Sequence, residues 1–70
     1  MPLHKRSLSL SGHRTSLSLE PEFWTVLDAA AKEQGRSLAS LIAEIDDQRG
    51  LDALASSVRV WALNYALNNA

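Results

Sequence analysis

The chain has 70 residues, no cysteine and a formal net charge of −1. This length allows one domain at most, and the lack of cysteine excludes disulfides and thiolate metal sites, so we expect no metal, no cofactor and a need for oligomerisation. The apolar runs are short and interrupted by charges, which predicts no membrane contact, no export signal and a cytoplasmic location.

Charge is unevenly distributed along the chain. Residues 1–19 contain Lys5, Arg6 and Arg14 and no acidic residue, whereas the remainder is net negative. A basic segment of this kind favours contact with a polyanion such as a nucleic acid, although many basic tails are only solvated.

Residues 14–19 alternate polar and apolar side chains, the period of a β-strand. Thr15, Leu17 and Leu19 would share one face, and the opposite face would carry Arg14, Ser16 and Ser18. A DNA major groove accommodates a two-stranded ribbon, and Arg and Ser can contact base edges there. One strand cannot form a ribbon, so this interpretation calls for a second copy of the chain.

Residues 1–12 have two interpretations. Residues 7–10, Ser-Leu-Ser-Leu, recur at positions 16–19, and Ser11-Gly12-His13 between them is typical of a turn. The segment is therefore either a basic N-terminal arm or a short hairpin strand. The arm is preferred because an isolated hairpin is only marginally stable. Residues 13–70 form the domain in either case.

The first helix is expected to begin at Pro21 and to end at Gly35. Leu19 and Trp24 have the spacing of a hydrophobic staple, and Asp28 and Lys32 form an i,i+4 ion pair. One apolar stripe contains Phe23, Val26, Leu27, Ala30 and Ala31.

Ser37 is expected to cap a second helix with the stripe Leu38, Leu41, Ile42 and Ile45. The free N–H groups at such a helix start, beside Arg36, suit a phosphate. Residues 46–50 are predicted to form a loop.

Asp52 is predicted to cap a third helix that runs to Leu67. Its two apolar faces predict burial on two sides, against its own subunit and against a partner. The first face contains Leu54, Val58, Trp61 and Tyr65, and the second contains Val60, Leu63 and Leu67.

A strand, a helix that opens with Pro-Glu, the turn Gly35-Arg36-Ser37 and a second helix together resemble the ribbon-helix-helix family of DNA-binding proteins. Residues 12–24 are similar to a short bacterial group within it. The resemblance implies a mainly α fold with one short β-strand, in an intertwined homodimer with an intermolecular antiparallel β-ribbon. The third helix is an addition to the minimal family fold.

The expected site has three parts and no catalytic residue. The base-contacting residues are Arg14, Ser16 and Ser18. The phosphate-contacting residues are Lys5, Arg6, Arg36, Ser37 and Leu38. The dimer core consists of Leu17, Leu19, Leu27, Leu41, Ile42, Ile45, Val58 and Trp61.

These features predict a homodimer that binds double-stranded DNA and regulates transcription, in the manner of a repressor; a tetramer on DNA is left open. The alternative is a protein-interaction module of the same fold, antitoxin-like or an assembly adaptor, that binds a protein through residues 52–67. An enzyme is the least supported class, because no nucleophile–base spacing and no glycine-rich phosphate loop occur.

Overall fold

The computed structural model describes residues 2–69, and it consists of a β-hairpin followed by three helices. The elements are β1 (His4–Leu10), β2 (His13–Leu19), α1 (Pro21–Glu33), α2 (Leu38–Gln48) and α3 (Leu54–Asn68).

The two strands pair antiparallel within one chain, from His4 opposite Leu19 to Leu10 opposite His13. Ser11 and Gly12 form a two-residue turn with φ of 53° and 84°. Two consecutive positive φ angles are typical of the type I′ turn, whose twist matches that of the flanking strands. The local sequence therefore closes the hairpin without a second chain.

The expectation of one short strand and an intermolecular ribbon is therefore wrong. Residues 4–10 form a strand of a ribbon made within one chain, rather than a flexible arm. The physical reason is the repeated Ser-Leu alternation, which places leucines of both strands on the same face. The helices cover that face, so the hairpin has the packing that an isolated hairpin lacks.

The helical layer packs against the leucine face of the hairpin. Leu10, Leu17 and Leu19 are buried, and Leu8 packs against them. The opposite face of the ribbon is open to solvent along almost its whole length.

Helix α1 begins at Pro21 as predicted, and both members of the expected staple, Leu19 and Trp24, are buried. The helix ends before Gly35, which has a φ of 64°. The N–H of Gly35 donates to Lys32 O at 3.1 Å, and that of Arg36 donates to Ala31 O at 3.0 Å. These two bonds form a Schellman motif, which favours glycine at this position.

Helix α2 begins as predicted, because Ser37 Oγ accepts a hydrogen bond from Ser40 N at 3.0 Å. It continues to Gln48, so the loop expected at residues 46–50 begins three residues later, at Arg49. Arg49 Nε donates to Asp46 Oδ1 at 2.6 Å, an i,i+3 ion pair that favours the helical conformation of the last turn.

Helix α3 begins at Leu54, and Ala53 rather than Asp52 is its N-cap. Asp52 lies in the preceding turn, where its backbone carbonyl accepts a hydrogen bond from the Arg49 side chain. The start of α1 is tied to α3 by Arg59 Nε, which donates to Glu20 Oε1 at 3.0 Å. A bond to its own backbone N–H, followed by the Arg59 bond, lowers the pKa of the Glu20 carboxyl.

The two apolar faces of α3 differ in burial. On the first face Val58 is fully buried, and Leu54, Trp61 and Tyr65 pack partly against the core. On the second face Val60, Leu63 and Leu67 remain 55%, 54% and 68% exposed. The single chain therefore buries the first apolar face of α3 and leaves the second face exposed.

Most residues expected in a dimer core lie in the core of the single chain. Trp61 is half-buried, and the others are buried: Leu17, Leu19, Leu27, Leu41, Ile42, Ile45 and Val58. Their contribution to a dimer stays a prediction.

Among residues 2–69, no helix is long and apolar enough to cross a membrane.

Candidate nucleic-acid interface

The solvent side of the hairpin, here called the outer ribbon face, is polar at every position. Strand alternation brings six side chains of both strands to this side, in three cross-strand pairs. The pairs are Lys5 with Ser18, Ser7 with Ser16, and Ser9 with Arg14. Ser18 is half-buried and the other five are exposed.

The charge of the outer ribbon face comes from Lys5 and Arg14, which lie at diagonally opposite corners. Neither forms an ion pair with any residue in the described range 2–69. Arg14 Nη1 lies 3.5 Å from Ser9 Oγ, a long hydrogen bond across the ribbon. Both cations are therefore available to an anionic or hydrogen-bond-accepting ligand.

The three residues expected to contact bases, Arg14, Ser16 and Ser18, lie together on this face of β2. Lys5, expected to contact phosphate, lies on the same face of β1. Sequence reasoning missed Ser7 and Ser9 as members of the face. The Ser-Leu repeat is the signal for them, since it is the pattern that allows the hairpin interpretation of residues 1–12, which was placed second to the arm.

Arg6 lies on the other side of β1 and is held by α1. Its Nη1 and Nη2 donate to Asp28 Oδ1 and Oδ2 at 2.9 and 3.0 Å, and its guanidinium carbon lies 4.5 Å from the Trp24 ring centroid. The hydrogen bonds to Asp28 raise the pKa of Arg6. The structure therefore does not bring Arg6 together with Lys5 on the outer ribbon face.

Trp24 completes this attachment of β1 to α1. Its Nε1 donates to the backbone carbonyl of His4 at 2.8 Å. Asp28 pairs with Arg6 across 22 residues, whereas its expected partner was Lys32 on the same helix. A long-range contact of this kind has no local sequence signal.

The start of α2 is occupied by its own polar contacts. Arg36 Nη1 donates to Glu44 Oε2 at 2.5 Å, and Nη2 donates to Ser40 O at 2.9 Å. The charge of Arg36 is thus balanced within α2, Ser37 serves as the cap, and Leu38 is half-buried. Backbone N–H groups are the remaining means by which this helix start can bind a phosphate.

A shallow groove of about 290 Å³ lies between the end of α2 and α3. Ile45, Arg49 and Trp61 are among its lining residues. Trp61 stacks on Tyr65 with ring centroids 5.3 Å apart. Burial, followed by the neighbouring Glu33, raises the pKa of the Tyr65 hydroxyl.

No group of three His, Asp or Glu side chains among the described residues is arranged to hold a metal ion. His4 and His13 are both exposed on the hairpin.

The site is thus a cationic two-stranded ribbon on a layer of helices, and a β-ribbon is one of the elements that proteins place in a DNA groove. A family model described as the ribbon-helix-helix domain matches residues 3–66, and the chain belongs to this family. This match confirms the resemblance noted in the sequence, and domains of this family are in general non-enzymatic DNA-binding modules. Comparisons with curated proteins and with solved structures gave no match.

Proposed function

We propose that the protein is a transcription regulator that inserts its outer ribbon face into the major groove of double-stranded DNA. The observation that carries this proposal is the composition of that face, which has two unpaired cations, four serines and no acidic side chain. Serine is not a strong strand former, so strand propensity does not account for four of them. A groove that presents hydrogen-bond donors and acceptors does account for them.

Arg14 makes the most specific contact in this proposal, a bidentate hydrogen bond to O6 and N7 of a guanine. Such a contact is worth about 1–3 kcal/mol of discrimination against another base. Ser16, at the centre of the face, and Ser18, at its other end, contact further bases and discriminate less, since a hydroxyl both donates and accepts. On the inner face of β2 Leu17 and Leu19 are buried by the helices, whereas the outer positions form a continuous polar surface that DNA can reach.

Phosphate contacts come from the start of α2, through backbone N–H groups at Ser37 and Leu38 with the positive end of the helix dipole. Arg36 would contribute at longer range, since Glu44 already binds its guanidinium. We propose no DNA contact for Arg6, because Asp28 and Trp24 hold its side chain against α1.

We expect the protein to act as a homodimer that associates through the exposed face of α3. We call Val60, Leu63 and Leu67 the α3 stripe. Arg59, the one charged residue in the α3 sequence, is bound to Glu20, so α3 itself brings no unpaired charge to a contact with a second copy. The same stripe favours the second candidate function, a protein-interaction module.

The test is the salt dependence of DNA binding by the wild type and by the Arg14→Ala variant. Lys32→Ala is the matched control, because Lys32 is an exposed cation on α1. We expect the logarithm of the affinity to fall linearly with the logarithm of the salt concentration. Arg14→Ala should lose sequence preference and about 1–3 kcal/mol of specific binding. Lys32→Ala should retain the preference.

A folded wild-type protein that binds no DNA at low salt would contradict the proposal and favour the protein-interaction module. An Arg14→Ala variant with unchanged DNA affinity and unchanged sequence preference would also contradict the proposal.

A further inference from the structure

The two strands of the hairpin are copies of one seven-residue pattern. β1 is His-Lys-Arg-Ser-Leu-Ser-Leu and β2 is His-Arg-Thr-Ser-Leu-Ser-Leu, identical at five of seven positions. The second position is Lys5 in β1 and Arg14 in β2, both cations. The third position, Arg6 or Thr15, is the one that differs in chemical class.

The antiparallel register turns this repeat into a local two-fold symmetry. Ser7, at the middle of β1, lies opposite Ser16, at the middle of β2. Rotation by half a turn about an axis through this pair exchanges the pair Lys5–Ser18 with the pair Arg14–Ser9. Each end of the outer ribbon face therefore presents one cation and one serine in the same arrangement.

This symmetry of the outer ribbon face is not required by the packing of the chain. The inner face meets an asymmetric helical layer, and it breaks the symmetry where Arg6 binds Asp28 while Thr15 does not. The outer side chains touch no helix-borne partner through a hydrogen bond or ion pair within residues 2–69. A ligand with the same two-fold symmetry explains the symmetry of the outer ribbon face, which the packing of the chain does not explain.

We infer that the hairpin of a single chain recognises a short inverted repeat in DNA, with Lys5 and Arg14 on equivalent guanines of opposite strands. This inference rests on the proposed function and assigns Lys5 to a base rather than to a phosphate. Lys and Arg are both suited to guanine O6 and N7, so the two ends select the same base pair. Ser7 and Ser16 lie over its centre.

The ribbon geometry sets the length of the repeat. The pairs that contain Lys5 and Arg14 are four residues apart along each strand. At roughly 3.4 Å per residue, this separation is about 14 Å. Base pairs also stack at roughly 3.4 Å, so the two G·C pairs are about four base-pair steps apart.

A dimer offers a different route to an inverted repeat, in which two chains each contribute Arg14. The two routes predict different effects of single substitutions. In a repeat read by two Arg14 residues, Arg14→Ala removes the preference at both ends and Lys5→Ala removes neither. In a repeat read by one hairpin, each substitution removes the preference at one end.

The experiment is enrichment of bound sequences from a random DNA library by the wild type, Lys5→Ala, Arg14→Ala and the double variant. Lys32→Ala is the control for loss of a cation, and circular dichroism checks that each variant is folded. Lys5 and Arg14 are exposed, so neither substitution removes a core contact. Lys5→Arg makes the two corners identical and tests their equivalence, because it should leave the preference at both ends in place.

We expect the wild type, Lys32→Ala and Lys5→Arg to enrich an inverted repeat with a G·C pair at each end. Each single alanine variant should retain the preference at one end, and the double variant should retain neither. An asymmetric wild-type motif, or a motif unchanged in Lys5→Ala, would overturn this inference and leave DNA binding by the ribbon intact. A wild type that binds no DNA would overturn this inference together with the proposed function.

Discussion

Trp24 links the helical core to β1 through three contacts of one side chain. The indole packs in the core against the helices, its N–H donates to the carbonyl of His4, and Arg6 lies over its ring. The staple spacing explains why an apolar residue is needed at this position, but it does not explain why the residue is tryptophan. The indole N–H and the aromatic face explain the choice of tryptophan, since the N–H binds His4 of β1 and the face contacts Arg6 of β1.

Trp24→Phe is expected to destabilise the protein by about 1–3 kcal/mol. The change removes the donor of a half-buried hydrogen bond and leaves the carbonyl of His4 without this partner. Chemical denaturation measures the loss, and hydrogen exchange should show that amides of β1 open more than those of α3. Trp61→Phe is the control, because Trp61 is half-buried and stacks on Tyr65. Equal destabilisation by the two variants, with exchange unchanged in β1, would contradict this role.

At the scale of the element, the hairpin depends on the turn at Ser11 and Gly12. A residue other than glycine in the left-handed region costs roughly 1–2 kcal/mol, and Gly12 has a φ of 84° with no neighbouring atom within 4 Å of an added Cβ. The cost of a side chain at Gly12 is therefore conformational rather than steric.

Gly12→Ala is expected to lower the free energy of unfolding by about 1–2 kcal/mol. Ser11→Asn should raise it, because asparagine tolerates positive φ better than serine and Asn-Gly is the preferred type I′ sequence. Thermal denaturation of both variants measures the two opposite shifts. Ser9→Ala, on the exposed face of β1, is a control outside the turn. A Gly12→Ala variant as stable as the wild type would show that the turn does not limit hairpin formation.

The sequence predicted those elements whose signals are local. Pro21, Gly35 and the cap at Ser37 each mark a helix boundary by backbone chemistry, and the structure confirms all three. For β1 the sequence left a hairpin and an arm open and favoured the arm, because a strand is stabilised by the residues that pack against its inner face and local patterns do not show them. That contact joins residues distant in the chain, such as Trp24 with His4.

The candidate site was predictable to a similar extent. Alternation alone placed Arg14, Ser16 and Ser18 on one face, which holds in the structure. The ion pair between Arg6 and Asp28 depends on how the hairpin lies on α1, and no residue spacing in the sequence predicts this ion pair. Nor does composition show whether Val60 faces a core or solvent, since both environments accept valine on a helix.

At the scale of the whole molecule, the outer ribbon face and the α3 stripe lie on different elements. The hairpin carries the unpaired cations Lys5 and Arg14, whereas the α3 stripe is apolar and lies on the last helix. A protein that used one surface for DNA and the other for association would carry two hairpins per dimer. Each hairpin could then meet its own DNA element, which makes the dimer a means of binding two elements at once.

Leu63→Glu is expected to shift the protein from dimer to monomer without unfolding it. Leu63 is 54% exposed at the middle of the α3 stripe, so a charge costs little in the isolated chain. In a pair of stripes the same charge would meet its copy in an apolar contact, where an unpaired carboxylate is strongly disfavoured. Sedimentation equilibrium at several concentrations measures the change, and circular dichroism checks the fold.

The matched control for this change is Ala29→Glu, which adds the same charge at an exposed position of α1 and should remain a dimer. A wild type that is already monomeric at micromolar concentration would contradict association through α3. The stripe would then be assigned to a different protein, because three neighbouring apolar side chains on one helix face are costly to leave in water. Binding of DNA by such a monomer would still test the hairpin, since the ribbon forms within one chain.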